Sequence, residues 1–302
     1  MIKTFDEILE MVKNYPTKKI AVAVAQDEPV LEAVYEAKKM GIADAILVGD
    51  KEKILECEKI LNIPEDTFEI IDEKDNAKAS LKAVELVSTK QAHMVMKGLV
   101  DTATFLRAVL DKEKGLRTGK VLSHVAVFEV PALNRMLLLT DAAMNIAPDL
   151  MTKKQIIENA VVVAKAIGME MPKVAVVAAV EVVNPDMQPT IDAAVLSKMN
   201  DRGQIKGCIV DGPLAIDNAL SEEAAKHKGI KSPVAGHADI ILVPNIETGN
   251  AMYKTLTYTS NAKNGGIILG AAAPVILTSR ADSNESKLYS IALASLVAEL
   301  TK

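Results

Sequence analysis

Apolar residues fall into short continuous runs, separated by stretches where they recur every three or four positions. Ile20 to Ala25, Ala45 to Val48 and Met94-Val95-Met96 are runs of strand length. Between the first two, Val30, Leu31, Val34 and Ala37 share one helical face, with Asp27 at the capping position, Pro29 in the first turn and Gly41 at the stop. Asp50 stands where it would cap the next helix. Ser80 to Val87 and Thr102 to Leu110 also read as helical. Strands alternating with helices predict a parallel sheet with helices on both faces. Ahead of this series, Ile2, Phe5, Leu9 and Val12 recur at helical spacing and predict an amphipathic opening helix.

A second series begins near Lys120. Val121 to Phe128 and Met136 to Leu139 read as strands. Thr152 with Gln155 forms a capping-box pattern ahead of a helix that buries Ile156, Ile157, Ala160, Val161, Ala164 and Ile167 and ends at Gly168. Val174 to Val180 is a near-continuous apolar strand, as expected where both faces are covered. Ile191 to Met199 reads as a helix, and Cys208 to Val210 and Ile240 to Val243 as strands. Near the end, Gly265 to Gly270 and Pro274 onward form apolar strands, the last breaking off at Ser279-Arg280.

Composition narrows the possible functions. The 302 residues carry a net charge of -5, no Trp and 3% aromatics, which argues against a nucleic-acid surface. No apolar run approaches the length of a membrane span, and the N-terminus lacks a signal-peptide core. Cys57 and Cys208 form no disulfide framework or CxxC pair, which fits a reducing, cytoplasmic compartment. The common nucleotide, zinc and serine-hydrolase signatures are absent, so no metal site is expected.

Small and polar residues gather just beyond the strands, where open α/β sheets bind ligands. Ser279-Arg280 places a hydroxyl beside a guanidinium, and Arg is the side chain suited to gripping phosphate through two parallel hydrogen bonds. Taken alone, the pair reads more readily as a surface ion-pair residue, Arg280, beside a turn residue, Ser279. The chain uses Arg sparingly, at 107, 117, 135, 202 and 280 only, so planar bidentate work is one explanation for where it appears. Pro244 to Asn250 follows a strand: Gly249 would let a ligand approach the backbone, with Thr248 and Asn250 offering hydrogen bonds, or the segment is a plain strand-to-helix turn. Lys97-Gly98 ends another strand and leads through a short helix to Arg107. Ser123-His124 lies in a third strand, where a lone histidine is more often a satisfied core residue than a catalyst. Thr140-Asp141 and Asp211-Gly212-Pro213 complete the set, with Asp141 equally a helix cap. Together these groups would line a cleft between two α/β halves, offering hydroxyls, amides and Arg, which suits a phosphate and an acyl group.

These residues carry a resemblance to a known family. Met96-Lys97-Gly98-Leu99-Val100, Gly119 to Val125, Leu196 to Met199, Pro244 to Asn250 and Leu277 to Ser283 resemble the phosphate acetyl/butyryltransferase family, and the agreement runs through essentially the whole chain. The resemblance implies an acyltransferase of butanoate metabolism that moves a butanoyl group reversibly between coenzyme A and inorganic phosphate. It implies two doubly wound α/β domains with a cleft between them, of the isocitrate/isopropylmalate dehydrogenase type, with residues 1–119 plus 270–302 in one domain and 120–269 in the other. It further implies no tightly bound cofactor, coenzyme A thioester as substrate, a homodimer or larger homo-oligomer, no membrane or nucleic-acid partner, and an acyl kinase downstream.

The family's Ser-Arg pair falls on Ser279 and Arg280, and a further active-site Arg is similar to Arg107. Lys97, Ser123, His124, Asp141, Thr248, Gly249 and Asn250 are then expected to bind substrate. Acetyl-specific relatives have an Asp, proposed as the base for the coenzyme A thiol, where this chain has Ser286, so the base is left open. Asp282 and Glu285 stand near it, although Asp282 to Glu285 also reads as a capping box. Neither Cys has an evident His partner, which favours direct attack of phosphate on the thioester over an acyl-enzyme. A phosphate acetyltransferase, a metal- and NAD-dependent dehydrogenase of the same fold and a non-catalytic coenzyme A-binding protein remain alternative readings.

Overall fold

The computed structural model describes residues 2–279 and 282–301. In chain order the first segment holds α1 (Phe5–Val12), β1 (Lys18–Ala23), α2 (Glu28–Lys39), β2 (Ala43–Gly49), α3 (Lys51–Ile60), β3 (Glu69–Asp72), α4 (Asn76–Ser88), β4 (Met94–Lys97) and α5 (Thr102–Val109). The middle segment holds β5 (Ser123–Val130), β6 (Arg135–Thr140), α6 (Leu150–Ala166), β7 (Lys173–Val177), α7 (Gln188–Asp201), β8 (Ile209–Leu214), α8 (Ile216–Leu220), α9 (Glu222–His227), β9 (Ile240–Leu242) and α10 (Ile246–Thr259). The chain finishes with β10 (Lys263–Leu269), β11 (Val275–Ile276) and α11 (Asn284–Leu300). These elements form two compact units. The split unit is Phe5–Lys120 with the chain from Gly265 onward, and the inserted unit is Val121–Asn264 with the chain start through Thr4.

The split unit has strand order β3-β2-β1-β4-β11-β10. All pairs are parallel except β10 with β11. Helix α4 packs on β1 and β2 and against α5, while α2 packs on β2 and against α11. The α1 ring Phe5 stacks on Tyr289 of α11 at 4.1 Å and 13°, which ties the opening helix to the final one. Every residue of α11 from Ser286 through Ala298 is buried, so this helix is hydrophobic almost all round. Gly41, at φ 72, supplies the left-handed stop after α2.

The inserted unit has strand order β5-β6-β9-β7-β8. Here β5 and β6 are antiparallel and the other pairs parallel. Each unit therefore mixes parallel and antiparallel pairs, where the alternation of patterns predicted parallel ones. The cause is connection length: residues 131–134 join β5 to β6 through a single 3₁₀ turn, too short for the crossover a parallel pair needs.

Three further expectations change locally. The Thr152–Gln155 capping box does not form. Asp149 caps α6 through Thr152 N–H at 2.8 Å, and Gln155 Oε1 accepts from Val121 N–H at 3.0 Å. Asp27 sits at the N-cap of α2 but makes no side-chain cap bond there. The β7 strand ends at Val177, before the apolar run does.

Candidate functional site

Within the split unit the C-terminal ends of β1, β4 and β11 open onto one cavity of about 380 Å³. Its lining includes Asp27, Lys97, Gly98, Thr278, Ser279 and Lys287. Lys97 is the last residue of β4 and Gly98 the next; Thr278 and Ser279 follow β11; Asp27 precedes α2. Gly98 closes on the end of β1. Its N–H donates to Ala23 O at 2.8 Å, and a Cβ there would stand 2.3 Å from Val24 O. Only glycine fits so close an approach. Val24 itself holds φ 55, a left-handed conformation that costs a β-branched residue energy and is kept by the bond from Leu99 N–H to its carbonyl at 2.8 Å.

Two lysines are buried beside this cavity. Lys97 Nζ donates to Gly98 O at 3.2 Å and Val100 O at 3.1 Å. Lys287, 2% exposed in the first turn of α11, donates from Nζ to Asp282 O at 2.5 Å. Burial pushes the Lys287 ammonium below its usual range, and the Asp282 and Asp27 carboxylates pull the other way. Sequence reasoning passed over Lys287. The available signal was a cation in the first turn of a helix followed at once by Leu288 and Tyr289, a place where both burial and the helix dipole disfavour positive charge.

The segment before α11 is organised differently from a capping box starting at Asp282. Ser283 caps the helix, its Oγ accepting from Ser286 N–H at 3.1 Å. The Asp282 carboxylate turns back and accepts from Ser279 N–H at 2.6 Å. Glu285 is exposed on the first turn. Ser286, at the position of the acetyl-specific relatives' Asp, accepts from the Ser283 hydroxyl at 3.1 Å. Arg280 lies outside the described residues. Arg107 is exposed in the last turn of α5 and does not line this cavity. Asp101 caps that helix by accepting from Thr104 N–H at 2.9 Å; that bond, with a smaller contribution from Arg107, holds the Asp101 carboxyl below its usual range.

Cys57 also lines the cavity, on the side of α3. Burial, then the carboxylates of Glu28, Glu56 and Asp27, push its thiol up. Cys208 is pushed up to about 11 by burial. Neither environment favours a thiolate. A second cavity of about 430 Å³ shares Gln26, Glu28, Cys57 and Leu99 with the first.

The remaining candidates sit in the inserted unit. Ser123 is fully buried, its Oγ accepting from Asn159 Nδ2 at 2.8 Å. His124 is buried on β5, with its ring edge-on to Tyr253 at 6.1 Å. Asp141 organises the loop after β6. Its carboxylate accepts backbone N–H groups from Ala143 at 2.9 Å, Met144 at 3.0 Å and Asn145 at 3.2 Å, plus the Asn145 amide at 2.6 Å. Thr248, Gly249 and Asn250 form the opening of α10, which Asn245 caps through both Thr248 N–H at 3.0 Å and Thr248 Oγ1 at 2.7 Å. Gly249 is buried against that same loop: a Cβ would stand 2.5 Å from Asp141 O and 2.9 Å from Ala142 Cα. Asn250 Nδ2 donates to Ala142 O at 3.4 Å. Asp211-Gly212-Pro213 lies inside β8 rather than beyond a strand end.

The structure thus brings together Lys97, Ser279 and Asp282 in one unit, and Asp141, Gly249 and Asn250 in the other. Among the described residues no group of three or more His, Cys, Asp or Glu could hold a metal ion.

The profile of the family described as phosphate acetyl/butaryl transferase matches residues 3–80 and 73–295. The chain is 65% identical over 298 residues to phosphate butyryltransferase of Clostridium acetobutylicum, with 99% of each chain covered. It is 62% identical over 302 residues to phosphate butyryltransferase of Clostridium beijerinckii, with all of each covered. A branched-chain phosphotransacylase from Enterococcus faecalis superposes with a TM-score of 0.84 at 37% identity, over 93% of this chain and 99% of that one.

Proposed function

We propose for this chain, which belongs to the phosphate acetyl/butaryl transferase family, the reversible transfer of a butanoyl group between coenzyme A and inorganic phosphate. The observation that carries the reading is full-length agreement with two relatives of that activity. The cavity at the strand ends supports it chemically, because a buried lysine, hydroxyls and backbone N–H groups suit a phosphate and a polarised carbonyl.

In the forward direction a phosphate oxygen attacks the thioester carbonyl carbon. The tetrahedral intermediate then expels coenzyme A as its thiolate, which takes up the proton that phosphate gives up. A thiol with pKa about 8.5 leaves readily, so the forward step makes modest demands on an acid. Ser279 is assigned to the sulfur or carbonyl oxygen. Lys97 and Arg280, with Arg107, are assigned to the phosphate, and Asp282 to holding the Ser279 segment. Asp141, Gly249 and Asn250, with Ser123, His124 and Thr248, are assigned to substrate binding by the inserted unit. The finer fold in this reading is two doubly wound α/β domains of the isocitrate/isopropylmalate dehydrogenase type, assembled as a homo-oligomer. The acyl phosphate passes to an acyl kinase. A cytoplasmic location belongs to the same reading, since Cys57 and Cys208 are free thiols. Among the described residues no helix is long and apolar enough to cross a membrane.

The test follows free thiol release from acetyl-, butanoyl- and branched acyl-coenzyme A, each with and without phosphate. Phosphate-dependent release, fastest with butanoyl-coenzyme A, is expected. Release that ignores phosphate means a different acceptor. Absence of release returns the binding-protein reading.

A further inference from the structure

Acyl transfer from butanoyl phosphate to coenzyme A has one requirement that the candidate residues taken from the sequence leave unmet. The attacking sulfur must lose its proton, and at neutral pH a free thiol of pKa about 8.5 is mostly protonated. A base in the site must therefore accept that proton. The carboxylates nearest Ser279 are poorly placed for the task. Asp282 is engaged with Ser279 N–H, and Glu285 is exposed on the outside of the α11 first turn.

Lys287 is differently situated. Its side chain is buried, lines the same cavity as Ser279, and gives its hydrogen bond to a backbone carbonyl. No carboxylate among the described residues stands within ion-pair distance of Nζ, in contrast to the buried lysines Lys18, paired with Glu299, and Lys153, paired with Asp192. The amine lies in the first turn of a 17-residue helix, where the positive end of the helix dipole adds to the cost of an ammonium. The charged and titratable groups around it are Asp282 ahead of its own helix, Asp27 and Glu28 at the start of α2, Lys97 at the end of β4, and Cys57 on α3. Burial disfavours the charged form most, and the Asp282 and Asp27 carboxylates favour it. Burial makes the neutral amine less costly here than on an exposed lysine, which is what a lysine base needs.

We propose that Lys287 is the general base that takes the coenzyme A thiol proton in this cavity. The inference rests on the phosphate acyltransfer reading above. As Nζ accepts the proton, the sulfur lone pair forms the C–S bond to the acyl phosphate carbonyl carbon. The tetrahedral intermediate collapses with cleavage of the C–O bond, whose electron pair leaves with phosphate. The ammonium then returns its proton to that leaving group, which departs as hydrogenphosphate. In the opposite direction the same group takes the proton from hydrogenphosphate and delivers it to the departing thiolate, so both directions depend on it equally. Ser279, tied to the same segment through Asp282, is left to hold the sulfur or the carbonyl oxygen rather than to titrate.

The experiment compares wild type, Lys287→Arg and Lys287→Met in the butanoyl phosphate plus coenzyme A direction from pH 6 to 9.5, with thermal melting to establish that each variant is folded. Arginine keeps the positive charge and a donor for Asp282 O but cannot act as a base at any of these pH values. Both variants are expected to lose about 10²- to 10⁴-fold in turnover at pH 7. Their remaining rate should climb about tenfold per pH unit until coenzyme A ionises unaided, while wild type levels off at lower pH. A folded Lys287→Arg variant with near wild-type turnover overturns the proposal and makes the residue a cation for phosphate. A uniform loss with the wild-type pH profile also overturns it, and makes Lys287 a support for the Asp282 segment. Wild-type protein that does not consume butanoyl phosphate with coenzyme A fails the underlying reading, a result distinct from either.

Discussion

At the scale of single residues, the cavity holds a cysteine whose surroundings suppress its chemistry. Cys57 is half-buried, and both desolvation and the carboxylates of Glu28, Glu56 and Asp27 favour the protonated thiol. A raised pKa means less thiolate at neutral pH, so alkylation by iodoacetamide at pH 7.5 is expected to be slower at Cys57 than for an unstructured cysteine peptide. It should accelerate only as pH rises beyond the ordinary thiol range. Cys57→Ser should leave turnover unchanged, because no acyl-enzyme passes through it. A burst of enzyme-bound butanoyl that disappears in Cys57→Ser would reverse that conclusion. Ser279 and Lys97 were legible in the sequence because both follow apolar strands directly, and strand ends are where such sheets present side chains to ligands. Lys287 was not, because its significance lies in which groups surround it, and Asp27, Lys97 and Asp282 come from three distant points of the chain.

At the scale of elements, propensity and periodicity located most helices and strands, but the short connections decided their direction. The β5–β6 pair is antiparallel because residues 131–134 leave no room for anything else. The sequence pattern alone contained both strands but not that constraint, and the small exposed edge strand β3 offered too little apolar content to be read. Element pairing also hides a polar contact that no periodicity reveals. Lys153 of α6 and Asp192 of α7 form an ion pair at 2.6 Å, with side chains 5% and 9% exposed, and Gln188 Nε2 donates to the other carboxylate oxygen at 2.8 Å. Removing one partner leaves the other charge buried, which costs about 3–5 kcal/mol, whereas replacing both with apolar groups of similar volume is near neutral. Lys153→Met is therefore expected to lower the urea midpoint of the transition involving the inserted unit strongly, and Lys153→Met with Asp192→Leu to recover most of the loss. Equal destabilisation by the single and double variants would show that α6 and α7 need the charges themselves.

At the scale of the whole molecule, one chain builds the split unit from two segments that are far apart in sequence. Strand β11 inserts between β4 and β10, and α11 packs against α2 and α1. Lys18 of β1 is paired with Glu299 near the end of α11, and Phe5 is stacked on Tyr289, so the start of the first segment is tied to the last helix at two points. The final helix also buries Leu288, Ile291, Leu293, Leu296 and Val297, each worth about 1.5–3 kcal/mol of transfer. Their combined burial is as large as the whole net stability of about 5–15 kcal/mol typical of a domain. A chain ending at Ser283 is accordingly expected to lose cooperative folding of residues 5–120, read as protease-sensitive sites across α2 and α4 and as a loss of circular dichroism larger than α11 itself contributes. It should lose all turnover as well, since Lys287 leaves with the helix and the Ser279 segment loses the cap that orders it. The discriminating control is Leu293→Ala in the full chain. It removes no group from the cavity but opens a hole under α11, at a cost of about 2–5 kcal/mol. If α11 acts on the site through the fold, this variant melts earlier yet keeps wild-type turnover well below its melting temperature. If it instead loses turnover while still folded, the packing of the helix and the geometry of the cavity at its first turn are coupled far more tightly than independent burial implies.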